Sequence, residues 1–170
     1  QLNVTEKLIT YLNLTASPAW INEYGGETTV NCSANHNEAV PILYVNNIAK
    51  TNPFTAMHQI GLYNYSCNIS QTENYSFAET LNVLNISRKA EKSHLYLNGV
   101  ENNITIGYGL QINATATSIS GTHSLFRDDD SVFNPEIAAL SAGYYTYKAN
   151  STGNENYSSG SITRTITVSQ

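Results

Sequence analysis

Hydrophobic and polar side chains alternate along residues 61–70, where Tyr63, Tyr65, Cys67 and Ile69 are separated by Asn64, Ser66 and Asn68. That is the period of a half-buried strand, with the aromatic and sulfur positions facing inward and the asparagines outward. The pattern returns 82 positions later without a gap, as Gly143-Tyr144-Tyr145-Thr146-Tyr147 answers Gly61-Leu62-Tyr63-Asn64-Tyr65. Glu73-Asn74-Tyr75-Ser76 and Glu155-Asn156-Tyr157-Ser158 extend the match. Residues 28–34 place Val30, Cys32 and Ala34 inward, and the same offset puts Ile112, Ala114 and Ala116 in their places. Residues 42–44 and 124–126 read as another strand. Each is followed by a polar pair, Asn46-Asn47 or Asp128-Asp129, where a hairpin turn is expected. Residues 8–15 and, more loosely, 93–97 read as opening strands, and residues 83–87 and 165–169 as closing ones. No stretch carries the period of an amphipathic helix.

Short strands at regular spacing, with turn residues between them, predict an all-β fold. A repeat of this length in a chain of 170 residues predicts two small domains. A glycine turn followed by a tyrosine two residues before a cysteine reads as strand F of an immunoglobulin-like sandwich, with Tyr65 at its tyrosine corner. The expectation is two tandem immunoglobulin-like β-sandwich domains, over 6–88 and 89–170, preceded by a strand segment over 1–5. In that segment Leu2-Asn3-Val4-Thr5 repeats the pattern of Leu84-Asn85-Ile86-Ser87, a closing strand with no domain body before it. Either the chain is cut from a longer array, or the segment pairs with a neighbouring copy. In the second case Leu2 and Val4 are the contact residues of a head-to-tail fibre built by strand addition.

Cys32 and Cys67 are the only two cysteines; they lie 35 positions apart on the second and sixth strands of the first copy. The offset replaces both with alanine, Ala114 and Ala149. Joint loss to the same small residue is what a bridged pair leaves behind. There is no C-x-x-C and no histidine at ligand spacing to suggest a metal or redox pair. The pair is therefore read as a disulfide joining the two sheets, worth ~3–4 kcal/mol in the chain-entropy account, and it implies an oxidising, extracytoplasmic setting.

Charged residues make up only 12% of the chain and the net charge is −5. That disfavours a nucleic-acid partner, which needs clustered Lys and Arg, and it is about half the usual charged fraction of a soluble surface. No apolar stretch is long enough to span a membrane. Asparagine fills part of the gap. Eleven Asn-x-Ser/Thr triplets occur, at Asn3, Asn13, Asn31, Asn64, Asn68, Asn74, Asn85, Asn103, Asn113, Asn150 and Asn156, half of all asparagines. Four recur at the offset, as Asn3/Asn85, Asn31/Asn113, Asn68/Asn150 and Asn74/Asn156. Those on strands fall on outward positions, where an N-glycan can leave the sheet. Covalent N-glycans would supply the missing solvation and blunt exposed strand edges.

The rest of the chemistry is sparse. His36, His58, His94 and His123 do not recur and read as solvent-facing loop or strand ends. Asp128-Asp129-Asp130 has the oxygens for a calcium site, but its counterpart is Asn46-Asn47-Ile48, so a polar turn is the better reading. No residue set suggests catalysis, and no metal or cofactor is expected. Trp20, His36 and the acidic run are scattered candidates for a recognition surface.

Leu12-Asn13-Leu14-Thr15-Ala16-Ser17-Pro18-Ala19-Trp20, Tyr24-Gly25-Gly26-Glu27-Thr28-Thr29-Val30-Asn31-Cys32 and Tyr63-Asn64-Tyr65-Ser66-Cys67-Asn68 together resemble the tandem immunoglobulin-like repeats of archaeal cell-surface and filament proteins. Gly153-Asn154-Glu155-Asn156-Tyr157-Ser158 in the second copy looks like the same family. The resemblance implies an exported, glycosylated structural module, extracellular or at the cell surface, whose partners are copies of itself. The strand that carries a tryptophan in antibody domains has Leu43 and Leu125 instead, which departs from the antibody pattern. The expected function is a non-enzymatic building block of an extracellular filament or surface layer. The rival is an adhesin or stalk module that binds a cell-surface or carbohydrate partner, which should carry a non-repeated cluster of exposed aromatic or charged loop residues.

Overall fold

A computed structural model describes residues 6–170. The Leu2 and Val4 contact and the Asn3 triplet lie outside the described residues. The chain divides between Ser87 and Arg88 into two compact units, and among the described residues each carries eight strands.

In the first unit, β1 (Leu12–Ser17), β3 (Glu27–Ala34) and β6 (Phe54–Met57) form one antiparallel sheet in the order β1-β3-β6. The other sheet runs β2-β8-β7-β4-β5, from β2 (Ile21–Glu23), β4 (Ile42–Val45), β5 (Ile48–Lys50), β7 (Gly61–Ile69) and β8 (Ala78–Ser87). Among the described strands of this unit, β2 on β8 is the parallel pair. The second unit repeats this plan. The strands β9 (Ser93–Leu97), β11 (Gln111–Ser118) and β14 (Glu136–Ala139) make the smaller sheet. The larger has the order β10-β16-β15-β12-β13, from β10 (Ile104–Gly107), β12 (His123–Arg127), β13 (Asp130–Val132), β15 (Gly143–Ser151) and β16 (Gly160–Ser169). Both units are immunoglobulin-like β-sandwiches. Their hairpins turn as the polar pairs demand: Asn46, Asn47, Asp128 and Asp129 all have positive φ, between 48° and 69°, the type I′ geometry that matches strand twist. Asn46 Oδ1 accepts from the Asn64 amide at 2.9 Å, and Asp128 Oδ1 from the Thr146 amide at 2.7 Å.

The inward rows meet in one core per unit. Val30, Leu43, Tyr65, Cys67 and Leu84 are fully or nearly fully buried in the first, and Ala114, Leu125, Tyr147, Ala149 and Ile166 in the second. Cys32 and Cys67 are bonded, with their Cα atoms 6.4 Å apart, and so tie β3 to β7 across the two sheets.

The gapless offset does not hold throughout. Ala34 pairs with Leu12 and Ser118 with Ser93, while Val30 pairs with Phe54 and Ala114 with Glu136. On these pairings Ser118 is the counterpart of Ala34, and Ala114 of Val30. Asn52 confirms the register: its side chain accepts from the Cys32 amide and donates to the Cys32 carbonyl, at 3.0 and 2.7 Å. Asn134 does the same to Ala116, at 2.9 and 2.8 Å. Cys32 therefore corresponds to Ala116 and not to Ala114, and Asn31 corresponds to Thr115 and not to Asn113. The path from Ser118 to Leu125 is two residues shorter than its counterpart from Ala34 to Leu43, and the link into β10 is longer, folded around an Asn98-Gly99 turn. A slip of two residues leaves every side chain on its own face, so burial alone cannot reveal it.

The second unit shows how the bridge site looks without sulfur: Ala116 and Ala149 are both buried in its core. The Cys32→Ala/Cys67→Ala variant should therefore fold. Its first unit should lose ~3–4 kcal/mol, seen in calorimetry as one transition moving down while the other stays.

Candidate functional site

The described acceptor asparagines are spread over the surface of both units. Asn13, Asn31, Asn64, Asn74, Asn85, Asn103 and Asn113 are exposed, while Asn68, Asn150 and Asn156 are half-buried. Several amides are already engaged. Asn103 Oδ1 accepts from the Thr165 amide at 3.0 Å. Asn113 Oδ1 accepts at 3.0 Å from Thr115 Oγ1, the hydroxyl of its own triplet. Asn74 Nδ2 donates to Glu38 Oε1 at 2.9 Å, and Thr72 Oγ1 donates to Oε2 at 2.7 Å. These donors hold the Glu38 carboxyl below its ordinary range.

The two larger sheets present different outer faces in matching registers. In the first unit Asn68 sits opposite Ile42, Ser66 opposite Tyr44 and Leu81, Asn64 opposite Val83, and Leu62 opposite Asn85. Leu62 and Leu81 are 67% and 73% exposed. Three acceptor asparagines are thus set among exposed apolar side chains. In the second unit Tyr144 faces Thr167, Thr146 faces Thr165, Lys148 faces Thr163 and Asn150 faces Ser161. That face is hydroxyl-rich, with the single acceptor Asn150.

The tyrosine corner falls one inward position earlier than expected. Tyr63 Oη donates to the Gln59 carbonyl and Tyr145 Oη to the Ser141 carbonyl, each at 3.0 Å. Tyr65 and Tyr147 lie deeper, fully buried. Tyr65 Oη meets His58 Nε2 at 2.9 Å. His58 is thus a buried side chain, only 8% exposed, where the sequence suggested a solvent-facing end. The rings of Tyr63 and Tyr65 flank it at 4.3 and 6.1 Å. Burial holds its imidazole below the ordinary value of 6.5. Burial, then the neighbouring Tyr63, push the Tyr65 hydroxyl up to about 12. In the second unit Leu140 occupies the place of His58. There Tyr147 Oη donates at 2.6 Å to Glu136 Oε2, whose other oxygen pairs with Arg127. Nothing in the alternation pattern marked these partners; the signal was a polar residue at the start of β14 where its counterpart is Phe54.

The scattered candidates do not assemble. Trp20 packs edge-on to Tyr65, ring centres 5.9 Å apart, as part of the first core. His36 stacks on Tyr75 at 3.9 Å and meets Thr10 Oγ1 at 3.2 Å, bracing the lead-in to β1 against the β7–β8 connection. His94 pairs with Glu101. Asp128 and Asp129 shape a turn and Asp130 begins β13. Among the described residues no group of His, Cys, Asp or Glu could hold a metal ion, and no helix is long and apolar enough to cross a membrane.

No family model matches the sequence, and no curated protein matches it. Similar solved structures include fibronectin(III)-like modules of Clostridium thermocellum CbhA, with 16% identity and a TM-score of 0.35 over 94% of this chain and 95% of that one. Immunoglobulin domains 1-5 of Sidekick-1 give 11% identity and a TM-score of 0.45, over 94% of this chain and 39% of that one. Tandem Ig repeats of Dlar give 10% identity and a TM-score of 0.34, over 94% and 97%. The fold rests on the strand order and register described above.

The first unit should be acid-sensitive through His58. Its folded pKa is depressed, so the unfolded chain binds the extra proton first as pH falls below 6.5. The stability present above that value drains away until the folded pKa is passed. As the pH falls through and below 6.5 the melting temperature of the first unit should fall. The His58→Leu/Tyr65→Phe pair, which borrows the leucine of the second unit and removes the orphaned hydroxyl, should flatten that part of the slope.

Proposed function

We propose that this chain is a structural, N-glycosylated unit of an extracellular filament or cell-surface layer, assembling head-to-tail with copies of itself. The observation that carries the reading is the distribution of acceptor asparagines. They lie on both sheets and on connections of the first unit and recur in the second, on a surface with few charges. A recognition module keeps one face clear and concentrates chemistry there. Here the candidates for such a face are taken up by core packing and turns, and no residue is assigned a catalytic role.

The N-terminal segment is the proposed connector, with Leu2 and Val4 entering a sheet edge of the next copy. Each sandwich already has its own closing strand, β8 or β16, paired along β7 or β15 over nine residues. That supports addition at an edge, with exchange of a closing strand between copies as the alternative. An adhesin or stalk module remains the rival reading, favoured by the exposed apolar face around Leu62 and Leu81.

Two measurements test this. The intact mass of the native protein should exceed that of the polypeptide by several glycans; a bare mass ends the glycan reading. Deletion must stop short of Leu8, because Leu8 bonds to Asn74 and Ser76 through its backbone and belongs to the first unit. Removing residues 1–5, or replacing Leu2 and Val4 with aspartate, should abolish fibres or sheets in electron micrographs while leaving both unfolding transitions in place. Assemblies of normal length and order from these variants would reject the connector.

A further inference from the structure

On the outer face of the second unit an open groove of about 520 Å³ is lined by Ser124, Phe126, Asn150, Ser159, Gly160 and Ser161. Asn150 forms its centre: it lies between Ser124 on β12 and Ser161 on β16. The Asn150 Oδ1 is buried and has no hydrogen-bond partner. Phe126 pairs with Lys148, two residues before Asn150 on the neighbouring strand. That is the diagonal position from which an aromatic ring reaches its neighbour on the same face.

These features describe a seat for a pyranose ring. One wall is a flat apolar face, suited to the axial C–H groups of a sugar. The other walls carry hydroxyls, suited to its O–H groups. The acceptor nitrogen of an Asn-x-Ser/Thr triplet lies at the centre. The ring and the acceptor recur in the first unit, without the hydroxyl walls: Ile42 and Glu79 flank Asn68 where Ser124 and Ser161 flank Asn150. Tyr44 holds the position of Phe126 and Asn68 that of Asn150, again on the diagonal, with Asn68 opposite Ile42. The Asn68/Asn150 pair keeps its register in the structure and has a ring on the neighbouring strand in both units; Asn74/Asn156 keeps its register too, but lies on a connection outside the strands.

We propose that the first sugar attached to Asn150 folds back into this groove, stacked on Phe126 and hydrogen-bonded by Ser124 and Ser161, and that Tyr44 offers a stacking face alone to the sugar on Asn68. The inference rests on the reading of Asn150 and Asn68 as glycan acceptors. It adds that these two glycans are packed parts of the sandwich, whereas those on exposed strand centres such as Asn31 are free to swing into solvent. The shared chemistry is a pyranose ring, and its source is the chain's own glycan.

The test uses the full chain secreted from a glycosylating host and trimmed by an endoglycosidase to single sugars, beside the same chain made unmodified. Peptide mass mapping first reports occupancy. A modified Asn150 should raise the melting temperature of the second unit by roughly 3–6 °C, the shift a small stabilisation gives a domain of this size. Phe126→Ala should abolish that increment, and Phe126→Tyr, which keeps the ring, should retain it. Nuclear Overhauser contacts between the sugar and the Phe126 ring should persist on dilution. An unmodified Asn150 among occupied sites overturns this proposal and leaves the broader glycan reading standing; a bare chain overturns both. An occupied Asn150 with equal increments in the wild type and Phe126→Ala overturns the platform alone. Ring contacts that vanish on dilution overturn it in favour of a sugar supplied by another molecule.

Discussion

A tyrosine hydroxyl lies buried in the middle of each sandwich, and much of the difference between the two units follows from how its partner is supplied. Tyr65 and Tyr147 contribute the largest fully buried side chains of their cores. A ring of that size fills the space between two small sheets, but an unpaired phenol there costs about 1–3 kcal/mol. The first unit answers with His58 from the connection before β7. The second answers with Glu136 from β14, itself held by Arg127 from β12. The exchange is complete at all three positions. Where the second unit has Glu136 and Arg127, the first has Phe54 and Val45; where the first has His58, the second has Leu140. One unit covers its phenol with a titratable ring, the other with a part-buried ion pair.

The disulfide has a similar logic. A sandwich of about 80 residues buries a modest fraction of its surface, so a cross-link between sheets is a large addition. The second unit omits it and has two alanines at the site. Its Arg127–Glu136–Tyr147 group ties β12, β14 and β15 together, and those strands belong to different sheets. The same two sheets are thus joined by sulfur in one unit and by a hydrogen-bonded ion pair in the other.

The alternation of residues 61–69 and 143–151 announced the strands around which both sandwiches close, and the Asn-Asn and Asp-Asp pairs announced their hairpins. Strands β2 and β10 gave no such signal. They are three and four residues long and pair in parallel with β8 and β16, so neither length nor turn chemistry marks them. The match of Cys32 to Ala114 erred for a different reason. Ala114 and Ala116 are both small and both inward, and strand period cannot distinguish positions two apart. Only the bidentate contact of Asn134 with the Ala116 backbone resolves it. Of the candidate surface, the acceptor triplets were legible because they are local motifs. The ring beside Asn150 was not, because Phe126 lies on another strand and becomes a neighbour only through the register of β12 on β15.

Edge strands and apolar surface set the remaining constraint. Each sheet here has two edges, and short strands guard several of them: β2, β5 and β13 have three residues each. Short edges limit unwanted pairing, yet the outer face around Leu62, Leu81 and Val83 is the kind of patch that draws proteins together. Charge does not protect it, since few charges are present. Asn64, Asn68 and Asn85 occupy that same face, so sugars there would cover the patch with hydrated bulk while leaving strand edges open to a partner's backbone. The hydroxyl-rich counterpart in the second unit carries no comparable patch and has one acceptor in place of three. The Asn-x-Ser/Thr triplets are thus denser on the more apolar of the two outer faces, where bulky hydrated groups would bury the most exposed apolar surface.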